Sequence, residues 1–188
     1  MEKDYRKEFE GKKIITISIA RANKIALILI LPIALVLALP FYLIWGVNVL
    51  KAVSFTSIGF LVLLIIVGVV IHELLHGITW ALFSKHGLRS IRFGIKWEYL
   101  TPYCHCTESL KVWQYILGGL MPLLIMGLIP SAWALIYGDA MVMFYGIFFS
   151  IAAGGDIQSV WLLRHFRANQ RVYDHPEELG FIVDDENG

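Results

Sequence analysis

The sequence predicts an all-α polytopic membrane protein, with four transmembrane helices in one domain and a small β element at the cytoplasmic face. Three observations predict it. Of 188 residues, 57% are hydrophobic and the mean hydropathy is +0.66, too apolar for a water-soluble domain of this size. Four stretches, at about 25–50, 58–83, 113–137 and 141–163, reach the roughly 20 apolar residues that a spanning helix needs. Basic residues gather in alternate connections between those stretches.

Lys3, Arg6, Lys7, Lys12, Lys13, Arg21 and Lys24 precede the first span and place it with a cytoplasmic start. Ile15, Ile17 and Ile19 alternate there with Thr16 and Ser18, the period of a half-buried strand. The apolar run from Ile25 is longer than a signal-peptide core and has no small-residue cleavage site after it, so an uncleaved anchor is expected. Pro32 and Pro40 in this span, and Pro122 and Pro130 in the third, predict kinks, which a membrane bundle tolerates.

Only Lys51 lies in the first connection, whereas Lys85, Arg89, Arg92, Lys96 and Lys111 lie in the second, which is therefore cytoplasmic. Within it Ile91, Phe93, Ile95 and Trp97 alternate with Arg92, Gly94, Lys96 and Glu98, a second predicted strand. The third connection, Gly138 and Asp139, has no base, and Arg164, Arg167 and Arg171 follow the last span. Both termini are expected inside, with residues 164–188 as a tail that ends in the solvated cluster Asp184-Asp185-Glu186. A net charge of +1 gives no reason to expect a nucleic-acid partner. Cys104 and Cys106 are too few and too close for a disulfide framework and are expected reduced. His86 and His175 are expected to be solvated or interfacial.

Apart from tyrosines, the ionisable residues of the four spans are His72, Glu73, His76 and Asp156. An acidic residue at the centre of a spanning helix costs roughly 2.5 to 3.5 kcal/mol and is kept where it finds a partner in the bundle interior. Ile71-His72-Glu73-Leu74-Leu75-His76-Gly77 is an H-E-x-x-H motif. At about 100° per residue, its two histidines share a face one turn apart and can reach one metal ion, while Glu73 stands to one side as a base for water.

A hydrolytic zinc site takes three protein ligands and leaves one position open. Position 82 is Leu and position 79 is Thr, so the extended metzincin pattern is absent. Glu98 lies in the soluble connection, and Asp156 is better placed. At about 1.5 Å per residue, the motif lies roughly 16 Å from Lys85 and Asp156 roughly 12 Å from Arg164, on spans that run in the same direction. Gly154 and Gly155 weaken the helix just before Asp156, consistent with either close helix packing or a local unwinding.

The motif in a spanning helix, followed two spans later by Gly154-Gly155-Asp156, resembles the site-2 protease class of intramembrane zinc proteases. It looks closer still to a family of small bacterial membrane proteins described as putative zincin peptidases, a likeness that extends through Thr101 to Cys106, Pro122 and Asp174-His175-Pro176. The resemblance implies an integral protein of the bacterial cytoplasmic membrane that hydrolyses peptides or transmembrane segments. It makes His72, His76 and Asp156 the Zn²⁺ ligands and Glu73 the general base. Site-2 proteases usually carry Leu-Asp-Gly at the third ligand, often after an Asn- and Pro-containing stretch. Here the residues are Gly-Gly-Asp-Ile, and that stretch is missing. The competing reading from another class is a non-catalytic metal-binding or ion- or proton-transporting protein that uses the same polar cluster.

Overall fold

The computed structural model describes Phe9 and residues 11–97, 101–175 and 180–184. Helix α1 (Ile19–Trp45) starts where the Ser18 hydroxyl accepts from the Arg21 N–H, and it passes through Pro32 and Pro40 without ending. It stops at Trp45, before the predicted boundary, because Gly46 takes φ 64° and leads into a 3₁₀ segment, Val47–Ala52. Helix α2 (Phe55–Ala81) is capped by the Ser54 hydroxyl on the Ser57 N–H. Helix α3 (Val112–Pro122) continues through a π-helical stretch, Leu123–Leu128, into α4 (Ile129–Tyr137). The Asp139 carboxylate caps α5 (Ala140–Ala152), and α6 (Gly154–Leu163) follows after Ala153.

Three of these helical runs are long and apolar enough to cross a membrane: Leu27–Trp45, Phe55–Ala81 and Val112–Tyr137. The predicted fourth span is two helices, α5 and α6, bent by 46° at Ala153, and it counts as a crossing only if the bent pair is one broken span. Leu27, Leu31, Val36, Leu43 and Phe55 stand exposed along the outside of α1 and α2. So much bare apolar surface has lipid as its natural solvent.

The two strands predicted from alternation do not pair with each other. Strand β1 (Lys13–Thr16) pairs with β6 (Gly180–Val183) at the far end of the chain, and Ile19 already belongs to α1. Strand β2 (Ile91–Lys96) forms a separate antiparallel hairpin with β3 (Thr101–Cys106). The larger sheet has the order β1-β6-β5-β4, with β4 at Leu110–Lys111 and β5 at Arg171–Asp174.

The tail is thus part of the fold. Val172, Phe181, Ile182 and Val183 are fully buried and, through Val172, Phe181 and Val183, join a core with Trp80, Tyr115 and Leu163. Burying a side chain of this size contributes about 1.5–3 kcal/mol, which offsets much of the entropy lost in ordering two four-residue strands. Asp184 pairs with Lys12 at 3.6 Å, while Asp185, Glu186 and Glu98 lie outside the described residues. A second, smaller core of Leu37, Phe41, Ala134, Ala140 and Met143 ties α1 to α4 and α5.

Glu108 fastens the turn after α2 to the connection between β3 and β4. Its carboxylate accepts from the Ser90 hydroxyl at 2.6 Å, from His86 Nδ1 and from the Lys85 N–H at 2.8 Å. The Ser90 and His86 hydrogen bonds hold its carboxyl down at about 2, against an ordinary 4.5. A depressed carboxyl contributes stability above its unfolded value and loses it as pH falls through its folded value. Glu108→Gln is therefore expected to lower the thermal midpoint at pH 6, with the gap to wild type closing between about pH 4.5 and 2. A gap that stays constant over that range would assign the loss to shape rather than charge.

Candidate metal centre

His72 and His76 project from one face of α2 and are both buried, whereas Leu74 and Ile78 on the other face are exposed. That separation of polar from lipid-facing positions follows directly from helical spacing. The imidazole centroids lie 5.0 Å apart. Asp156, in the first turn of α6, reaches both: its Oδ2 lies 3.3 Å from His72 Nε2 and its Oδ1 lies 3.3 Å from His76 Nε2. The bend at Ala153 makes this a fresh helix N-terminus, where unsatisfied N–H groups and the helix dipole favour an ionised carboxylate.

The spacing can be tested against zinc. Zinc–nitrogen and zinc–oxygen bonds of about 2.0–2.1 Å in a tetrahedron put neighbouring ligand atoms about 3.3–3.4 Å apart. Each separation equals that edge, through Oδ2 for His72 and Oδ1 for His76, so the carboxylate turns one oxygen to each imidazole; both are long for a charge-assisted hydrogen bond, which prefers about 2.7–2.9 Å. Candidate ligand atoms on all three residues lie within 4.8 Å of one another, the one such group among the described residues.

His76 Nδ1 lies 2.9 Å from the Gly118 carbonyl. A carbonyl only accepts, so Nδ1 carries the proton and the Nε2 lone pair is turned toward Asp156 and the metal position. The His76 ring stacks on Trp80, Trp80 stacks on Tyr115, and Trp80 Nε1 donates to the Tyr115 carbonyl. His72 is steadied by stacking on Phe149, and its Nδ1 is buried with no hydrogen-bond partner.

Glu73 lines the same cavity and receives a hydrogen bond from the backbone of Cys104 on β3. The cavity, about 470 Å³, lies between α2, α3, α6, β3 and β5, and its polar wall includes His72, Glu73, His76, Asp156, His105 and Gln158. Gly155 also lines it, and a Cβ there would meet nothing within 4 Å. Of the two readings of Gly154-Gly155, close helix packing therefore fails at Gly155. The helix breaks just before it, and Gly155 leaves room beside the acid.

A second set of polar groups reaches the cavity from the tail. Asp174 accepts from the Tyr115 hydroxyl at 2.7 Å and from the Cys106 N–H at 3.3 Å, and its Oδ2 lies 3.1 Å from His105 Nδ1. His175, expected to be solvated or interfacial, is buried and lines the cavity just after β5. His86 is largely exposed and paired with Glu108. Burial, reinforced by the Glu73 and Asp174 carboxylates, pushes the Cys104 thiol up, so it stays protonated.

Sequence reasoning missed the Gly118 carbonyl, which carries no side-chain signal. It also missed Tyr115 and Gln158, because a search of the spans for charge passes over neutral polar groups.

A family model described as Putative zincin peptidase matches residues 64–171. The chain belongs to that family. The matched stretch is more than half of the chain and runs from α2 to the start of β5, taking in His72, Glu73, His76 and Asp156. Zinc is the metal that a zincin peptidase implies, and a donor set of two imidazoles and a carboxylate fits it. No curated protein and no solved structure matches the chain. Asp174 and His175 line the cavity from just beyond the matched stretch.

Proposed function

We propose that this zincin peptidase is an intramembrane zinc metallopeptidase, similar in chemistry to site-2 proteases, that hydrolyses peptide bonds of membrane-embedded or membrane-adjacent segments. One observation carries the reading. Two imidazoles and a carboxylate stand at zinc-ligand spacing with Glu73 on the same cavity, and the histidines and Glu73 belong to a helix apolar enough to span a bilayer.

His72, His76 and Asp156 would hold the ion, which supplies Lewis acidity toward a peptide carbonyl and toward water. Glu73, adjacent to one ligand and held by the Cys104 backbone, takes the proton of the attacking water on a carboxylate oxygen. It then returns that proton to the leaving amine.

A helical carbonyl is already hydrogen-bonded, so the substrate must be extended when it is attacked. The hairpin edge on the cavity is β3 rather than the sequence-predicted Ile91–Trp97 strand. Along that edge Cys104 N–H is taken by Glu73, Cys106 N–H by Asp174, and Pro102 has none. The edge therefore offers an incoming peptide acceptors, and it offers few donors. The basic connections favour a cytoplasmic position for both sheets and both termini in a bacterial cytoplasmic membrane.

The test is zinc content and peptide hydrolysis of detergent-purified wild type beside Glu73→Gln. About one zinc in each is expected, with hydrolysis lowered roughly 10²–10⁴-fold in Glu73→Gln, the usual contribution of a positioned base. Undiminished cleavage in Glu73→Gln would remove Glu73 from its role. A metal-free wild type prepared without chelators, together with vesicle ion flux that depends on His72, His76 and Asp156, would establish the transport reading instead.

A further inference from the structure

We infer that Gln158 is the substrate-backbone anchor of this cavity: its carboxamide pairs with a peptide group of an extended segment next to the one being cut. The inference rests on the peptidase reading for the identity of the ligand and on the structure of α6 for the site.

Gln158 is only 8% exposed and lines the metal cavity, yet among the described residues its side chain makes no hydrogen bond. A carboxamide has two donors and two acceptor sites, and here they open onto the cavity, where they are free to pair with whatever enters it. Its neighbours do not serve it. Ser159 spends its hydroxyl on the Gly155 carbonyl at 3.1 Å, and Gly155 has no side chain.

Helix geometry then fixes where Gln158 acts. Residues 155, 156, 158 and 159 all face the cavity, and at about 100° per residue Asp156 and Gln158 fall at opposite margins of that arc. With the scissile group at Asp156 and the two histidines, Gln158 addresses a neighbouring peptide group, since peptide units in an extended chain follow at about 3.3 Å. Opposite, β3 offers mainly carbonyl acceptors, because Glu73 and Asp174 hold its N–H groups. A peptide lying between them can give its N–H groups to β3 and needs a donor for a carbonyl, which the Gln158 amide supplies. A helical segment has no backbone groups to spare, so this anchor selects unwound chain, and it reads backbone rather than side chains.

The experiment uses full-length, zinc-loaded protein in the Glu73→Gln background, where a bound peptide persists. The probe is a synthetic ten-residue apolar peptide with a fluorescent end, alongside versions methylated at single backbone nitrogens. Gln158→Leu is expected to weaken binding of the parent peptide about tenfold or more, with zinc content unchanged and the thermal midpoint equal or higher, since no protein contact is lost. Methylation at β3-facing nitrogens should weaken binding in both proteins alike. Unchanged affinity in Gln158→Leu overturns the inference, and so does weaker binding that comes with zinc loss or a lower midpoint. If no peptide is cut by wild type while the Gln158→Leu effect is present, the peptidase reading fails and the anchor stands. If wild type cuts peptides and Gln158→Leu binds them normally, the reading stands and the anchor fails.

Discussion

Asp156→Ala is expected to yield folded protein whose zinc affinity is lower by more than about 100-fold and whose peptide hydrolysis is undetectable. Loss of a group that merely supports a ligand costs 10–100-fold in metal affinity, so loss of a ligand itself should exceed that range. The fold should survive, because the Asp156 carboxylate makes its contacts with His72 and His76 and none with the packing core. Asp156→Asn sharpens the test. It keeps the shape and the first-turn position but removes the negative charge, leaving two neutral imidazoles and a neutral amide, a poor donor set for a dication. Competition with a chelator of known affinity, followed by mass spectrometry of the retained metal, would measure both variants. Full zinc in Asp156→Ala would exclude Asp156 and turn attention to Glu98 and to Asp174, which lines the same cavity.

The acid is where the local helix is weakest, which bears on how the centre assembles. The chain turns by 46° at Ala153, and α6 packs against α3 and α1, so Asp156 reaches the histidines from a separate helix rather than from a continued α5. A straight fourth span would place residue 156 in a helix interior, without the free N–H groups that favour its charge. Gly154 and Gly155 serve this break, and the open space beside Gly155 lies next to the acid, on the cavity side.

What was legible in the sequence was what rests on local period and on charge in lipid. Apolar runs marked the helices to within several residues, and isolation in hydrocarbon singled out His72, Glu73, His76 and Asp156 before any geometry was known. The sheets were read poorly for a physical reason. Strands β1, β5 and β6 have four residues each, and β1 finds its partner about 170 positions away, so neither period nor spacing announces the pairing. Gly180-Phe181-Ile182-Val183 is an unalternated apolar run because both its faces are covered, and such a run resembles any short buried segment. Asp174 was legible only through family likeness, since its partners Tyr115, His105 and Cys106 come from three other parts of the chain.

Gly118→Leu is expected to damage the metal centre without touching a ligand. A Cβ at this position would lie 2.1 Å from Trp80 Nε1 and 2.2 Å from its Cδ1, so even a methyl group requires the indole or α3 to move. Trp80 has little freedom: it is stacked on His76 and Tyr115 and donates to the Tyr115 carbonyl. Moving α3 instead would carry the Gly118 carbonyl away from His76 Nδ1, the contact that holds the imidazole tautomer. Either path loosens the same ligand. Overpacking of this kind costs about 1–3 kcal/mol, and loss of a ligand's supporting hydrogen bond costs 10–100-fold in metal affinity. Gly118→Leu should therefore show a lower thermal midpoint and zinc affinity reduced within that range, a smaller loss than in Asp156→Ala. Gly155→Leu, a substitution of the same size into open space, serves as the control and should keep its midpoint. Equal midpoints and equal zinc affinity for Gly118→Leu and wild type would mean that Trp80 and Gly118 do not position His76.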